Sequence, residues 1–211
     1  MERPDNNIQK ENNKLIIKDY RLKETVKTPV FMLLLCIFIT LIFGLTIVPT
    51  HLVAHMDDMG FGHIQAAFVL TLIGGSGIIG RITIGGAADR YNSKNLLPAS
   101  LMLQAILLFS QIRANNLQGL YIVATLYGLG YGGTLPLIIK KNIDFFGTAY
   151  SGTIFGVLIF GGTSAGAIGA PYAGYIYDKT GYYSAAFLTG GIILSAGAIL
   201  SILLKRPKKQ G

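Results

Sequence analysis

Charged residues are scarce in this chain, and that scarcity excludes an ordinary soluble domain. They make up 13% of the 211 residues, about half the share that is usual in soluble globular proteins. The single cysteine, Cys36, leaves no partner for an intrachain disulfide. Zinc-ligand spacing, a phosphate-binding glycine loop and a nucleophile elbow are missing as well. We therefore predict a protein that is not an enzyme, with no cofactor, no metal and no nucleic-acid partner.

The apolar residues instead form runs that are long enough to cross a bilayer. About 20 apolar residues span the hydrocarbon core, and residues 30–50 carry no charge at all. We predict six spans, which are Val30–Thr50, Ile64–Gly86, Asn95–Ile112, Leu117–Ile139, Ala149–Tyr177 and Tyr183–Leu204. The predicted fold class is an all-α integral membrane protein with a cytoplasmic segment at 1–28, a six-span bundle at 29–204 and a basic tail at 205–211.

Lysine and arginine lie almost entirely on one side of these spans. Of the 18 basic residues, fifteen fall on the side that holds both termini, Arg113 and Lys179 fall on the other, and Arg81 lies within a span. The positive-inside rule then places both termini in the cytoplasm. We expect a multi-pass protein of the plasma (inner) membrane. The basic segment before the first span is either a helix on the lipid surface or a solvated linker.

One glycine-rich pattern occurs twice, 89 positions apart. Gly77, Ile79, Gly80, Gly85 and Asp89 of the second span return as Gly166, Ile168, Gly169, Gly174 and Asp178 of the fifth. Because the two copies are three spans apart, they cross the bilayer in opposite directions. Inverted repeats of this kind are typical of secondary transporters.

Arg81 is the one charge well inside a predicted span, whereas every acidic residue lies outside the spans or at their ends. A charge in the bilayer interior needs a partner or a polar cavity. A guanidinium pairs bidentately with a carboxylate, so Arg81 is a candidate for binding an anionic substrate. The alternative is an arginine that extends to the cytoplasmic headgroups or to helix-end carbonyls.

The cytoplasmic end of the second span carries Asp89, Arg90 and Lys94. A carboxylate there can bind the positive end of another helix, and the basic residues can hold carbonyl ends or lipid phosphates. Contacts that form in one conformation and break in another make a gate, which we predict here. The alternative is a solvated turn that obeys the positive-inside rule.

Hydroxyl groups recur along the fourth span. Tyr127, Tyr131 and Thr134 are spaced by four and three residues, so they share one helix face. We predict that this face lines a substrate cavity; the alternative is helix packing and interfacial tyrosine. His51 and His55 also have the spacing of two metal ligands on a helix, but a zinc site needs more ligands.

Several motifs resemble those of the major facilitator superfamily. Gly85-x-x-x-Asp89-Arg90, followed by Lys94, resembles its cytoplasmic loop signature, with Asn92 where a second glycine is usual. Residues 144–174, which begin Asp-Phe-Phe-Gly, resemble the fifth span of its C-terminal half. Residues 19–31 resemble the segment before that half in members similar to the oxalate/formate antiporter and the monocarboxylate transporters. The resemblance covers about residues 19–207.

This resemblance implies twelve spans in two halves, of which the chain looks like the C-terminal half with its 3+3 inverted repeat. The first and fourth spans would then line the cavity, the second and fifth would meet the other half, and the third and sixth would face lipid. Arg81 falls where monocarboxylate transporters and oxalate/formate antiporters carry a substrate-binding arginine. Gly77 stands where proton-coupled members have an aspartate, which argues against proton coupling through this half.

We therefore expect transport of a small organic anion, a monocarboxylate, by alternating access. The partner would be a second six-helix half or a self-associated copy, within a lipid bilayer. The competing hypothesis is a truncated or split-gene product without transport activity of its own, which acts if at all as a partner of another carrier.

Overall fold

The computed structural model describes residues 19–90 and 95–205. These residues form helices and no strands. The helices are α1 (Leu22–Thr25), α2 (Pro29–Asp58), α3 (His63–Arg90), α4 (Leu96–Arg113), α5 (Leu117–Phe146), α6 (Ser151–Thr180) and α7 (Ser184–Ile202). The last six are long and apolar enough to cross a membrane, and they correspond one to one to the predicted spans. The predicted all-α membrane fold is confirmed.

Two helices, α2 and α5, continue seven or eight residues past the ends that the sequence predicted. α2 begins where the Thr28 hydroxyl accepts a hydrogen bond from the Phe31 N–H (3.2 Å), with Pro29 in the first turn. It then runs through Pro49 to Asp58 instead of ending near residue 50. α5 likewise passes an internal proline and ends seven residues later than predicted, at Phe146. Apolar composition marks the part of a helix inside the bilayer, whereas the hydrogen-bonded helix extends beyond it.

The helices pair in a symmetric pattern. The most extensive pairings are α3 with α5 and α2 with α6, followed by α4 with α7. α2 also packs on α7, and α4 packs on α5. Exchanging α2, α3 and α4 for α5, α6 and α7 leaves this whole set of pairings unchanged. The 3+3 inverted repeat predicted from the glycine pattern is therefore present in the packing of the bundle.

The repeated glycines are the positions where the paired helices touch. A Cβ atom at Gly80 of α3 would overlap the carbonyl group of Leu129 on α5. A Cβ atom at the equivalent Gly169 of α6 would lie 2.9 Å from the carbonyl oxygen of Phe43 on α2. Both contacts are with backbone atoms, so only glycine permits such a close approach of the helices.

α3 and α6 are the helices least covered by the rest of the chain. In their most apolar stretches 28% of the residues are buried, against 39% to 50% in the other four spans. Large apolar side chains remain exposed on both, among them Ile78 and Ile79 on α3 and Phe160 and Ile168 on α6. These two symmetry-related helices therefore present the largest uncovered apolar surface of the bundle.

Candidate functional site

Arg81 lies on α3 beside its contact with α5. Gly77 and Gly85, one turn away on either side, face α5 across ordinary contact distances. A Cβ atom at Gly77 would be 3.8 Å from the Tyr131 ring, and one at Gly85 would be 3.4 Å from Cβ of Pro136. Residues four apart on a helix lie on one face. Arg81 lies between these two glycines on α3 and is exposed, so it is at the edge of the α3–α5 contact.

The Arg81 side chain is exposed. Among the described side chains it makes no hydrogen bond and no ion pair, whereas His63 Nδ1, at the other end of α3, lies 3.0 Å from the Asp57 carboxylate. A guanidinium carries five N–H donors, and leaving them unpaired in a bilayer is costly. The Arg81 guanidinium therefore lies next to the α3–α5 contact with donors that no described side chain accepts.

Tyr131 and its two predicted companions differ in burial. Tyr131 is half-buried, and its ring lies near Gly77 at the α3–α5 contact. Tyr127 is fully buried inside the bundle, and its hydroxyl has no hydrogen-bond partner among the described residues. The helical spacing correctly groups the two tyrosines on one side of α5, but the side chains reach different surroundings along it.

Thr134 takes part in a polar contact between α4 and α5. Its hydroxyl lies 2.6 Å from that of Ser100, accepts a hydrogen bond from Gln104 Nε2 (2.8 Å) and donates one to the Gly130 carbonyl (2.8 Å). All of these groups are buried. The structure thus places Thr134 and Tyr127 in helix packing and not on an open cavity. Ser100 and Gln104 of α4 hydrogen-bond to the Thr134 hydroxyl. Spacing within α5 does not predict this contact with another helix.

The predicted gate lies at the end of α3. Asp89 and Arg90 form the last turn of this helix; their side chains and Lys94 lie outside what the structure describes. Next to them, an open groove of about 440 Å³ separates the ends of α3 and α5. It is lined by Gly85, Ala88, Pro136, Ile139, Lys140, Ile143 and Asp144.

The two histidines on α2 bind neighbouring groups within the protein. His51 Nε2 lies 2.9 Å from the Ala170 carbonyl oxygen of α6, and its ring packs at a tilt of 35° against Tyr183 with centroids 5.1 Å apart. His55 meets the rings of Tyr183 and Phe187. Within residues 19–90 and 95–205, no three histidine, cysteine or acidic side chains converge enough to hold a metal ion. Both histidines have structural roles at the α2–α6–α7 contact.

Comparison with known proteins identifies the family. The model of the Major Facilitator Superfamily matches residues 2–166 and 83–211. Monocarboxylate transporter 13 of Bos taurus is 31% identical over 156 residues, which cover 73% of this chain and 37% of that protein. Monocarboxylate transporter 12 of Homo sapiens is 27% identical over 186 residues, covering 85% of this chain and 36% of that protein.

A solved structure shows the same fold. The major facilitator superfamily transporter FucP, in its outward conformation, superposes with a TM-score of 0.76 at 20% identity, over 88% of this chain and 45% of that one. Taken with the family match, this shows that the chain belongs to the major facilitator superfamily and is related to the monocarboxylate transporters. The chain spans less than half the length of the relatives it matches. The family and these relatives are membrane transporters.

Proposed function

We propose that this chain carries a small organic anion, a monocarboxylate, across the membrane by alternating access. The observation that carries the proposal is the exposed Arg81 beside the α3–α5 contact, with no partner among the described side chains. A cation within a membrane span that has no partner among the described side chains is best explained by an anionic ligand. One cation within the spans matches the single charge of a monocarboxylate better than it matches a dianion.

The chemistry of recognition follows from the geometry of the groups. The two oxygens of a carboxylate meet the planar fork of a guanidinium in two parallel hydrogen bonds. Tyr131, half-buried near the same α3–α5 contact, would supply a hydroxyl that can donate to the anion. Exclusion of water from such a site strengthens both interactions. The names of the related monocarboxylate transporters support this substrate class.

The proposal includes a second six-helix unit, either a separate half or a second copy of this chain. Alternating access requires two bundles that rock about a site between them. The uncovered α3 and α6 surface is where that second bundle would pack, which places Arg81 close to the interface. Spans α2 and α5 would line the cavity together with Tyr131, and α4 and α7 would face lipid.

The orientation and gate are proposed from the charges. Both termini lie in the cytoplasm, because fifteen of the 18 basic residues fall on the terminal side of the six spans. We propose the plasma (inner) membrane as the location. Asp89, Arg90 and Lys94 then form the cytoplasmic gate. The Asp89 carboxylate would pair with a helix N-terminus of the second bundle in one conformation and separate from it in the other.

The test is uptake of labelled lactate into liposomes that contain this chain together with a candidate N-terminal half. We expect saturable uptake in the parent protein and its loss in Arg81→Ala. Arg81→Lys keeps the charge but loses the bidentate fork, so it should raise KM. Arg113→Ala is the matched control, because it removes an exposed arginine at the far end of α4. Equal, saturable uptake in Arg81→Ala and Arg113→Ala would refute the assignment.

A second candidate function is that of a membrane partner without transport activity of its own. The uncovered α3 and α6 surface favours it, because an isolated bundle with this surface would pack on another carrier. Uptake by the chain alone would contradict this alternative. If the chain abolishes or alters uptake by an otherwise complete carrier and adds none itself, the partner role is the correct one.

A further inference from the structure

The segment before the first span binds a distant turn of the bundle. Asp19 lies ten residues before α2, yet its Oδ1 atom accepts hydrogen bonds from the backbone N–H groups of Thr148 (2.9 Å) and Ala149 (3.0 Å). These two residues form the turn between α5 and α6. A carboxylate that accepts two backbone N–H groups makes charge-assisted hydrogen bonds, which are stronger than those between neutral groups.

The neighbouring residue closes the other side of the same turn. The Tyr20 N–H donates to the carbonyl of Phe146 (3.0 Å), the last residue of α5. The Tyr20 ring packs edge-on against the Phe146 ring, with centroids 6.1 Å apart. Carbonyls in the last turn of a helix lack partners within the helix, so Tyr20 provides one. Asp19 and Tyr20 together therefore cap both the end of α5 and the turn that leads into α6.

The turn is shaped to receive this segment. Gly147 has a φ of +85°, which side-chain-bearing residues rarely adopt. A Cβ atom there would lie 3.0 Å from the Cα of Asp19 and would overlap its carboxylate. On the opposite side, Asn142 Nδ2 donates to the Ser151 carbonyl (3.0 Å) and fixes the start of α6 to α5. Glycine at 147 thus leaves the space that Asp19 fills.

The contact between Asp19, Tyr20 and the α5–α6 turn is weak enough to break while the helices stay folded. It consists of a few hydrogen bonds and the Tyr20–Phe146 ring contact, and its Asp19–Thr148 side is exposed. A hydrogen bond to a charged group changes an equilibrium by about 10- to 100-fold. The membrane-spanning helices can open only by breaking many buried contacts, so their amides are protected far more strongly. The segment can therefore release while the bundle stays folded.

We propose that Asp19 and Tyr20 form a latch that holds the α5–α6 turn and opens independently of the helices. The latch connects the chain upstream of Asp19 to α5, the helix that carries Tyr131 and packs against the helix of Arg81. A force or modification acting on the upstream segment is thereby transmitted to the predicted cytoplasmic end of α5. Asp19 is a positioning residue, and this role does not depend on which substrate the protein carries.

Residue-resolved amide hydrogen exchange on the full chain in lipid nanodiscs tests the latch. In the parent protein we expect the Thr148 and Ala149 amides to be protected about 10- to 100-fold, and interior amides of α5 far more. Asp19→Ala should remove the protection at both amides and leave the α5 interior unchanged. Asp19→Asn, which retains an acceptor oxygen, should keep part of it. Glu24→Gln, a control in the same segment, should leave it intact.

Three results would overturn the proposal. Unchanged protection in Asp19→Ala would show that the carboxylate does not hold the turn. Protection of Thr148 as deep as that of the α5 interior in the parent protein would show that the contact never opens by itself. Faster exchange throughout α5 in Asp19→Ala would reveal a general structural role. None of these measurements involves transport, so they are independent of the lactate experiment.

Discussion

Replacing Gly80 with alanine should force α3 and α5 apart. The added Cβ would overlap the carbonyl oxygen of Leu129, and it would lie 2.9 Å from the carbonyl carbon and 3.0 Å from the Cα of that residue. All three are backbone atoms of a buried helix, which cannot rotate away as a side chain could. The helices must therefore separate, and the neighbouring contacts between them must loosen.

Gly75→Ala on the same helix provides the reference, because no heavy atom lies within 4 Å of a Cβ at that position. Alanine is favoured over glycine in a helix by about 1 kcal/mol, and this gain applies to both variants. It cancels when they are compared. What remains is the cost of overpacking, about 1–3 kcal/mol. Gly80→Ala should be less stable than Gly75→Ala by that amount.

Reversible unfolding of the chain in mixed detergent micelles, followed by far-ultraviolet circular dichroism, measures the difference. Both variants keep the six apolar spans, so both should insert and fold under mild conditions. If the two free energies of unfolding agree within about 0.5 kcal/mol, less than the smallest overpacking cost expected, the close contact between α3 and α5 does not exist as described.

Two further comparisons test other contacts. Thr134→Val should lower the free energy of unfolding by about 1–3 kcal/mol in the same assay, because it leaves buried polar groups of α4 unpaired. Thr125→Val removes a hydroxyl that bonds within its own helix, so it should cost less than half as much. Equal losses would contradict the α4–α5 polar contact. Gly147→Ala and Gly181→Ala both place alanine at a positive φ, which costs about 1–3 kcal/mol. Gly181 is left-handed α (ψ 5°), whereas Gly147 (ψ −176°) is in a region essentially restricted to glycine, and its added Cβ also clashes with Asp19. Thermal denaturation should show Gly147→Ala to be the less stable variant. The reverse order would contradict the close contact between Asp19 and the turn at Gly147.

The six spans and their repeat could be predicted because they follow from composition along the chain. The length of the apolar runs sets the number of spans. The glycines at fixed spacing marked α3 and α6, which make the most extensive pairings of the bundle, with α5 and α2. The contact between Gly80 and Leu129 shows why the pattern is informative. The bilayer gives helices no hydrophobic reason to associate, so close packing through small residues has to be written into the sequence.

The surroundings of α5 could not be predicted in the same way. Spacing placed Tyr127, Tyr131 and Thr134 on one side of a helix, but which neighbour they meet depends on how the helices are arranged. Ser100 and Gln104, four residues apart in the third span, were the available signal, because two polar residues on one face of a membrane helix need buried partners. The contact of Asp19 with Thr148 joins residues 129 positions apart and leaves no local pattern.

The repeat also supplies an internal control for Arg81. Shifting by 89 positions places Ala170 of α6 where Arg81 stands in α3, and Gly169 packs against α2 as Gly80 packs against α5. The same close helix pairing is therefore made with alanine at the equivalent position, so packing does not require the arginine. We propose that its cost within the bilayer is offset by an anionic ligand, for which the α2–α6 pair has no equivalent arginine. Arg81→Ala should accordingly unfold within about 0.5 kcal/mol of the parent chain, as surface substitutions do, while losing saturable lactate uptake. A large loss of stability would instead assign Arg81 to the architecture of the bundle.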